Sequence, residues 1–512
     1  MKQTTYIIMI SLTWLFCSCG DFLQEEDKDQ VISRTTDQYL AMMHQEAFLD
    51  VTWNYASDLM TDDIQDNERT ATTAKNTYKS LYTWQRNVEI DGKGNRTNVT
   101  NQWWSILYNN ILVANYVIEN VGKAIGSESS RNQLYGEAYF VRARAYFELV
   151  NIYAPNYDEA TATTTMGVPL RLDTGVKKTY TRASIKQVYQ QIEDDLYNAI
   201  RYFEQTTENL SLWHPNKKAA QLLLSRVYLY KGEWDNVISV ASELISSCPA
   251  GLYDLATHTT VPFVSNSNPE IFHTYGDCFS LIVENDESNT WHNDVPNIYS
   301  GQDDNGYPLI AYGISTDLLN SFLEGDCRSI WDPNIDGGRG TYLLTSDGID
   351  LPAKWHSQFT SLGAYNYRLS EAYLNRAEAY AAKGMNIEAL NDVRELIEHR
   401  VKDISKIKFP TENSEIRKFV LDERRREFFG ENHRWFDLKR TTSWYPKQIT
   451  HKITLRSTGT SGGSGVIQGY ETYILAPNDP NFVFELPETE TQINSEIELY
   501  GKRVEKIAIK DN

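Results

Sequence analysis

Two loop segments of the sequence combine aromatic, acidic, amide and guanidinium side chains, which are residue types that can line a ligand site. Aromatic faces stack on flat ligand surfaces, and amides, carboxylates and guanidinium groups hydrogen-bond to polar groups of a ligand. The first segment places Trp84 and Arg86 after the acidic stretch SDLMTDDIQDN, and the second is NTWHNDVPNIY. The candidate ligand residues are Asp62, Asp63, Asn67, Trp84, Arg86, Trp291, Asn293, Asp294 and Tyr299.

Some of these candidates could have a structural role instead of contacting a ligand, and the sequence leaves both interpretations open. A tryptophan in a polar loop is either presented to a ligand or tucked beneath the loop as part of the core. Arg368 is a further candidate, because its guanidinium could reach the same pocket. It could equally be a structural partner at the start of the helix that follows it.

The run DERRREF at residues 422–428 offers neighbouring acids and bases that could suggest acid–base catalysis. Charged residues three and four positions apart lie next to one another on a helix. The spacing therefore favours a structural network of ion pairs over a catalytic site.

Metal-binding patterns in the sequence are weak. The stretch DPNIDG matches a calcium loop at Asp332, Asn334, Asp336 and Gly337, but Leu343 stands where the bidentate glutamate is required. Neither CxxC nor HExxH spacing occurs among the five cysteines and nine histidines. We therefore expect no metal and no cofactor.

The elements that position these loops belong to a large folded body. The chain has 512 residues, of which 41% are hydrophobic and 12% aromatic, enough for a sizeable core. Its formal net charge of −20 disfavours a nucleic-acid partner, since such partners are bound by neutralising phosphates.

The N-terminus reads as an export signal of the lipoprotein type. Lys2 precedes the apolar stretch YIIMISLTWLF, which has the length of a signal-peptide core, although a short buried helix is the alternative. Cys19 follows Ser18 in a pattern that resembles a lipobox, so residues 1–18 are predicted to be a signal peptide with lipidation at Cys19. Residues 19–35 then form an acidic tether.

Residues 36–512 are predicted to form a single large, mainly α-helical domain. Tetratricopeptide-like spacing of small, aromatic and glycine residues appears at residues 217–247 and 368–401, with a third pair formed by residues 136–153 and 184–204. Small residues let two helices approach closely, and Gly232 and Gly384 supply the turns. Long, irregular loops rich in Asp, Asn, Gly and Thr separate the pairs and are the predicted ligand-binding parts.

Several segments together resemble the SusD/RagB family in order and spacing. They are CGDFL, YFVRARAYFELVNIYAP with GVPLRLD, STDLLNSFLEGDCRS, YRLSEAYLNRAEAYAAKG and LDERRREFFGENHRWFDLKR. The chain departs from the usual pattern at FFGENHRW and at FELPETETQIN. In this family the ligand site is typically formed by loops in the two regions that contain Trp84 and Trp291.

The resemblance implies a surface-exposed outer-membrane lipoprotein that binds but does not catalyse. Such a protein captures an oligo- or polysaccharide and delivers it to a TonB-dependent, SusC-like transporter, while its lipid anchor holds it on the membrane. Two alternatives remain open. A RagB-type member would bind peptides, and a glycoside hydrolase would need two carboxylates placed across a cleft.

Overall fold

The computed structural model describes residues 33–48, 54–97, 99–175, 180–257, 269–275, 300–302, 308–329, 343–346, 349–352, 365–458, 464–494, 497–499 and 501–511. The helices are α1 (Thr36–Met43), α2 (Asn54–Leu59), α3 (Thr72–Lys75), α4 (Lys79–Tyr82), α5 (Val99–Asn120), α6 (Glu128–Tyr153), α7 (Ile185–Phe203), α8 (Lys217–Lys231), α9 (Trp234–Ser246), α10 (Thr316–Ser321), α11 (Leu369–Ala382), α12 (Asn386–Glu398), α13 (Asn413–Phe428), α14 (Arg434–Arg440) and α15 (Glu488–Ile493). The strands are β1 (Ile64–Asp66), β2 (Ile271–Tyr275), β3 (Ser300–Gln302), β4 (Pro308–Ile310), β5 (Tyr312–Ile314), β6 (Leu343–Ser346), β7 (Ile349–Pro352), β8 (Tyr365–Arg368), β9 (Ile449–Thr458), β10 (Ser464–Leu475) and β11 (Ile509–Asp511).

Local signals account for where several helices begin and end. Helix α7 starts with a capping box, in which the Ser184 hydroxyl accepts from the backbone N–H of Gln187 and the Gln187 side chain accepts from that of Ser184. Gly232 and Gly384 follow α8 and α11 with φ of +73° and +74°, a conformation that glycine adopts without a steric penalty.

The long helices pack in pairs, α6 with α7, α8 with α9 and α11 with α12. At Gly136 of α6, an added Cβ would lie 2.6 Å from the ring of Phe203 of α7, so only glycine permits this approach. Ala377 and Ala389 are fully buried between α11 and its neighbours. The predicted fold class, a mainly α single domain with tetratricopeptide-like pairs and long loops, is confirmed.

Short antiparallel sheets join the ends of the helices. Strand β10 lies between β9 and β11, and β1 pairs with β5 through Ile64 and Ile314. The outer edge of β9 is covered by side chains, because Asp66 accepts from the N–H of Thr454 and Lys75 donates to the carbonyl of Thr454. The segment that contains β1, α3 and α4 is thereby attached to β9.

Helix α13 carries the DERRREF run, and its charges do form a buried network. The Arg426–Glu423 pair of this run has the i,i+3 spacing expected from the sequence. The other charges reach across the fold, since Glu427 contacts Arg328, Arg368 and Arg400. The network therefore joins distant segments of chain to one another.

The length and apolar content of the described helices decide whether any of them could span a membrane. Within the described ranges, none of them combines the length and apolar composition needed to cross a bilayer. The predicted signal peptide, Cys19 and most of the tether fall in residues 1–32, which lie outside the described ranges, so these assignments stay predictions.

Candidate functional site

A surface cavity of about 710 Å³, here called the polar groove, is lined by two of the predicted ligand residues, Asp62 and Asn67. It is formed by β1 with the residues that follow it, the start of α10, and the first half of β9. The groove is lined by Asp62, Ile64, Gln65, Asp66, Asn67, Glu68, Arg69, Tyr82, Ser315, Thr316, Asp317, Lys447, Gln448, Ile449, Thr450, His451, Lys452 and Thr454.

Strand pairing and a helix cap fix one wall of the groove. The Ser315 hydroxyl accepts from the N–H of Leu318 at 3.1 Å, which caps α10. The same hydroxyl donates to the carbonyl of Asp62 at 2.7 Å, and the N–H of Ser315 donates to the carbonyl of Asp63. The start of α10 is thereby held against the backbone that precedes β1.

Asp62 is anchored at the base of the groove by cations. Arg434 donates to both carboxylate oxygens of Asp62 at 2.8 Å, and Nζ of Lys447 lies 2.5 Å from Oδ2. Burial raises the pKa of Asp62, but the charges of Arg434, Arg425 and Lys447 outweigh burial and hold it well below its usual value. The Asp62 carboxylate is therefore ionised at neutral pH.

Asp317 extends this charged base toward solvent. Its Oδ2 accepts from Arg425 at 2.8 Å and lies 3.4 Å from Nζ of Lys447. Burial raises the pKa of Asp317, but the charge and hydrogen bond of Arg425, with the charge of Lys447, outweigh burial and hold the pKa below its usual value. Neither Asp62 nor Asp317 thus carries a proton that it could donate as a general acid at neutral pH.

The rim of the groove presents neutral and charged hydrogen-bonding groups to solvent. Exposed side chains there are those of Glu68, Arg69, Thr316, Asp317, Gln448, Thr450 and Lys452. Together they supply donors and acceptors along the length of the groove. Such a surface suits a ligand that carries many hydroxyl groups or alternating charges.

His451 underlies the groove and joins three segments. Its imidazole stacks on Tyr82 and Trp84, with ring centroids 4.0 and 4.2 Å apart. Its nitrogens contact the carbonyl oxygens of Tyr82 and Thr61 at 2.5 and 2.8 Å. Burial lowers the pKa of His451 to about 4, although the two carbonyl contacts oppose that shift.

The structure overturns the prediction that Trp84 presents its face to a ligand. Trp84 is fully buried, its indole N–H donates to the carbonyl of Met60 at 2.8 Å, and its backbone has φ of +52°. The physical reason is that the indole packs on His451 and fills the space beneath the loop. Trp84 is a core residue that shapes the floor of the groove.

Arg368 also proves to be a structural residue. It is the N-terminal flanking residue of α11 and is 1% exposed. Its guanidinium donates to Glu427 and Glu431, at 2.7 Å in each case, and to Ser370 at 2.9 Å. The prediction that Arg368 contacts a ligand is therefore wrong, because its guanidinium N–H groups are hydrogen-bonded to residues of the buried network.

The remaining candidates of the first segment have separate positions. Asp63 is buried against Arg425 at 2.5 Å, and Asn67 donates its amide to the carbonyl of Ile310 at 2.7 Å, so both support the wall of the groove. Arg86 lies in a different cavity, of about 470 Å³, where it pairs with Glu485 at 3.3 Å. The structure therefore does not bring Arg86 together with Asp62.

The second predicted cluster cannot be placed in the groove or outside it. Trp291, Asn293, Asp294 and Tyr299 lie outside the described residues, as do the calcium-loop positions at residues 332–337. Across the described ranges, no group of three or more His, Cys, Asp or Glu side chains is arranged to hold a metal ion.

The groove also contains residues that sequence reasoning missed. Thr316, Asp317, Lys447, Gln448 and His451 line it without having been singled out as ligand residues. Thr316 and Asp317 lie in STDLLNSFLEGDCRS, a segment with a clear sequence signal. Residues 447–451 have no such signal, because only the packing of β9 against β1 brings them to the groove.

Comparison with protein families gives two matches that cover different parts of the chain. Residues 21–229 match a family model described as "Starch-binding associating with outer membrane", and residues 332–497 match the SusD family model. Among curated proteins, the SusD-like protein P25 of Formosa agariphila is 23% identical over 49% of this chain, and a SusD-like protein of Bacteroides ovatus is 24% identical over 67%. The chain spans 48% and 65% of those two relatives.

Solved structures share the fold at low sequence identity. A SusD superfamily protein of Bacteroides thetaiotaomicron has a TM-score of 0.65 and 20% identity, covering 91% of this chain and 100% of the other. A SusD-like carbohydrate-binding protein of Bacteroides vulgatus has a TM-score of 0.64 and 17% identity, covering 91% and 98%. The two SusD-type family models match residues 21–229 and 332–497, and by these matches the chain belongs to the SusD/RagB family.

Proposed function

We propose that this protein captures an oligo- or polysaccharide in the polar groove and delivers it to a TonB-dependent, SusC-like transporter of the outer membrane. The observation that carries the proposal is the groove itself, about 710 Å³ in volume and rimmed by exposed hydrogen-bonding side chains. Its base is fixed by ionised Asp62, Arg434 and Lys447, so the rim is preorganised for binding.

The proposal assigns the predicted ligand residues to different roles. Asp62 and Asn67 belong to the groove, while Asp63 and Trp84 hold it in place from below. Trp291, Asn293, Asp294 and Tyr299 remain candidates for the aromatic and amide contacts that a sugar ring requires.

The membrane and transporter parts of the proposal rest on the sequence and the family. Lipidation at Cys19, followed by the acidic tether at residues 19–35, would hold the folded body at the membrane surface. The match to a model described as "Starch-binding associating with outer membrane" supports this location. The transporter partner follows from the resemblance alone.

A peptide ligand is the second candidate, and the charges of the groove favour it. Asp317 is 65% exposed at its side chain and lies beside Lys447, an arrangement that can pair with the charged groups of a peptide. Catalysis is a weaker alternative, because the groove carboxylates Asp62 and Asp317 are held ionised by cations and a glycosidase needs a protonated acid.

Calorimetry against a panel of polysaccharides and oligopeptides distinguishes these candidates. We expect heat of binding with at least one glycan and no release of reducing sugar during the titration. Heat of binding with oligopeptides alone would show that the ligand is a peptide and not a glycan. Release of reducing sugar would show that the protein is an enzyme. The genes next to that of this protein would narrow the choice of glycans for the panel.

A further inference from the structure

A second cavity lies inside the protein, away from the polar groove, with a volume of about 40 Å³. It is enclosed by α6, α8, the β2–β8 pair and the turn before α14. We call it the interior cavity. The polar side chains that face it include Arg144, Glu148, Asn151, Arg226 and Tyr367.

Several buried polar atoms around the interior cavity have no hydrogen-bond partner among the described residues. They are Nε and Nη1 of Arg144, Oε2 of Glu148 and the hydroxyl of Tyr367. Arg144 is 1% exposed, Tyr367 2% and Glu148 9%. A buried polar group without a partner is costly, and such groups in folded proteins are almost always satisfied.

Hydrogen bonds among Arg144, Glu148 and Tyr367 do not pair these polar atoms within the described part of the chain. Arg144 and Glu148 are one helical turn apart on α6, yet within the described part of the chain they form no ion pair within 4.0 Å. Arg144 instead donates through Nη2 to the carbonyl of Ala47 at 2.7 Å and lies over the ring of Tyr275. The Tyr275 hydroxyl donates to Oε1 of Glu148 at 3.3 Å, leaving Oε2 toward the cavity.

The volume and chemistry of the interior cavity match a small neutral polar ligand. A water molecule needs about 10–15 Å³ of such volume and two to four polar partners. A cavity of about 40 Å³ therefore has room for about three or four waters. An anion would be attracted by Arg144 but repelled by Glu148, and a cation the reverse, so a neutral ligand fits both walls.

We propose that the interior cavity holds a cluster of ordered water molecules that bridges Arg144, Glu148 and Tyr367. The waters accept from the Arg144 guanidinium, donate to Oε2 of Glu148 and pair with the Tyr367 hydroxyl. They connect α6 to β8, next to the end of β2 at Tyr275. The cluster supports the strand from which the chain enters residues 276–299, the segment that contains the second predicted ligand cluster.

A high-resolution crystal structure of the unmodified protein tests the proposal directly. We expect separate density peaks about 2.6–3.2 Å from Nη1 of Arg144, Oε2 of Glu148 and the Tyr367 hydroxyl. A cavity without density would overturn the proposal. So would a peak with the anomalous signal of bromide after crystals are soaked in that salt, because it would identify an anion site.

Oxygen-17 magnetic relaxation dispersion provides a solution test that counts long-lived internal waters. Tyr367→Phe removes one anchor at almost constant volume, and we expect the count to fall by about one water. Tyr312→Phe is the matched control, because the buried Tyr312 hydroxyl donates directly to the carbonyl of Lys75 and lies outside the cavity lining. An unchanged count in Tyr367→Phe, with Tyr312→Phe also unchanged, would contradict a water bridge at Tyr367.

Discussion

Arg434 donates two hydrogen bonds of 2.8 Å to the carboxylate of Asp62, although 372 residues separate the two along the chain. Arg434 is the first residue of α14, in the segment LDERRREFFGENHRWFDLKR, and Asp62 lies at the base of the polar groove. The most distinctive sequence segment of the chain thus holds the predicted ligand region in place.

Replacing Arg434 with methionine should destabilise the protein by about 1.5–3 kcal/mol, because it removes charged hydrogen bonds to the buried Asp62 carboxylate, which keeps Lys447 and Arg425 as partners. The free energy of unfolding from urea denaturation is the measurement. Arg86→Met is the control. The Arg86–Glu485 pair is half-exposed, and exposed pairs contribute about 0–1 kcal/mol. Equal effects of the two substitutions would contradict the structural role of Arg434.

Trp84→Ala should destabilise the protein by about 3–5 kcal/mol, since it removes a fully buried indole and leaves a cavity above His451. The melting temperature and the urea midpoint should both fall. Trp213→Ala, at a partly exposed tryptophan, is the control and should have a smaller effect. An unchanged stability of Trp84→Ala would mean that Trp84 is a ligand platform after all.

Protonation of His214 should make the stability of the folded protein depend on pH, and the direction of that dependence follows from the pKa shift of His214. Burial lowers the pKa of His214, but the hydrogen bond and charge of Glu137, 3.1 Å away, outweigh it and raise the pKa above 6.5. The folded state therefore binds the proton more tightly than the unfolded state. This contribution to stability is fully present below about pH 6.5, the pKa of histidine in the unfolded chain. It is lost as the pH rises through the pKa of His214 in the folded protein.

The comparison of wild type with His214→Asn isolates this effect. We expect the difference in free energy of unfolding to be largest at about pH 5.5 and to shrink by about pH 8.5. A difference that grows with pH would show that His214 is neutral in the folded protein.

The lipid anchor is tested by Cys19→Ser. This variant should move from the membrane fraction to the soluble fraction while its circular dichroism stays unchanged, because the substitution removes the acyl chains that would hold the protein on the membrane. Cys17→Ser is the matched control and should remain in the membrane fraction. Continued membrane fractionation of Cys19→Ser would refute the assignment.

The helices could be predicted from the sequence because their signals are local. The cap at Ser184, the turns at Gly232 and Gly384, and the buried face of α5 at Trp104, Tyr108, Ile111 and Asn115 all follow from spacing within a few turns. Each signal acts within a single segment of chain.

The candidate site could be predicted only in part because its contacts are distant in sequence. Asp62 was identified as polar and available, but its partners Arg434 and Lys447 lie far along the chain. Trp84 was placed on a loop correctly, yet its burial depends on Met60 and on His451 of β9. No local pattern indicates such packing.

The central claim is that the polar groove binds the glycan, and calorimetry on paired variants tests it most directly. Arg69→Ala with Gln448→Ala removes two exposed donors from the rim, while Lys186→Ala with Gln190→Ala removes similar exposed groups from α7. With a glycan identified by the panel, we expect about fivefold or greater loss of affinity in the groove variant, given about 0.5–1.5 kcal/mol for each hydrogen bond, and none in the α7 variant. Wild-type affinity in the folded groove variant would contradict the claim.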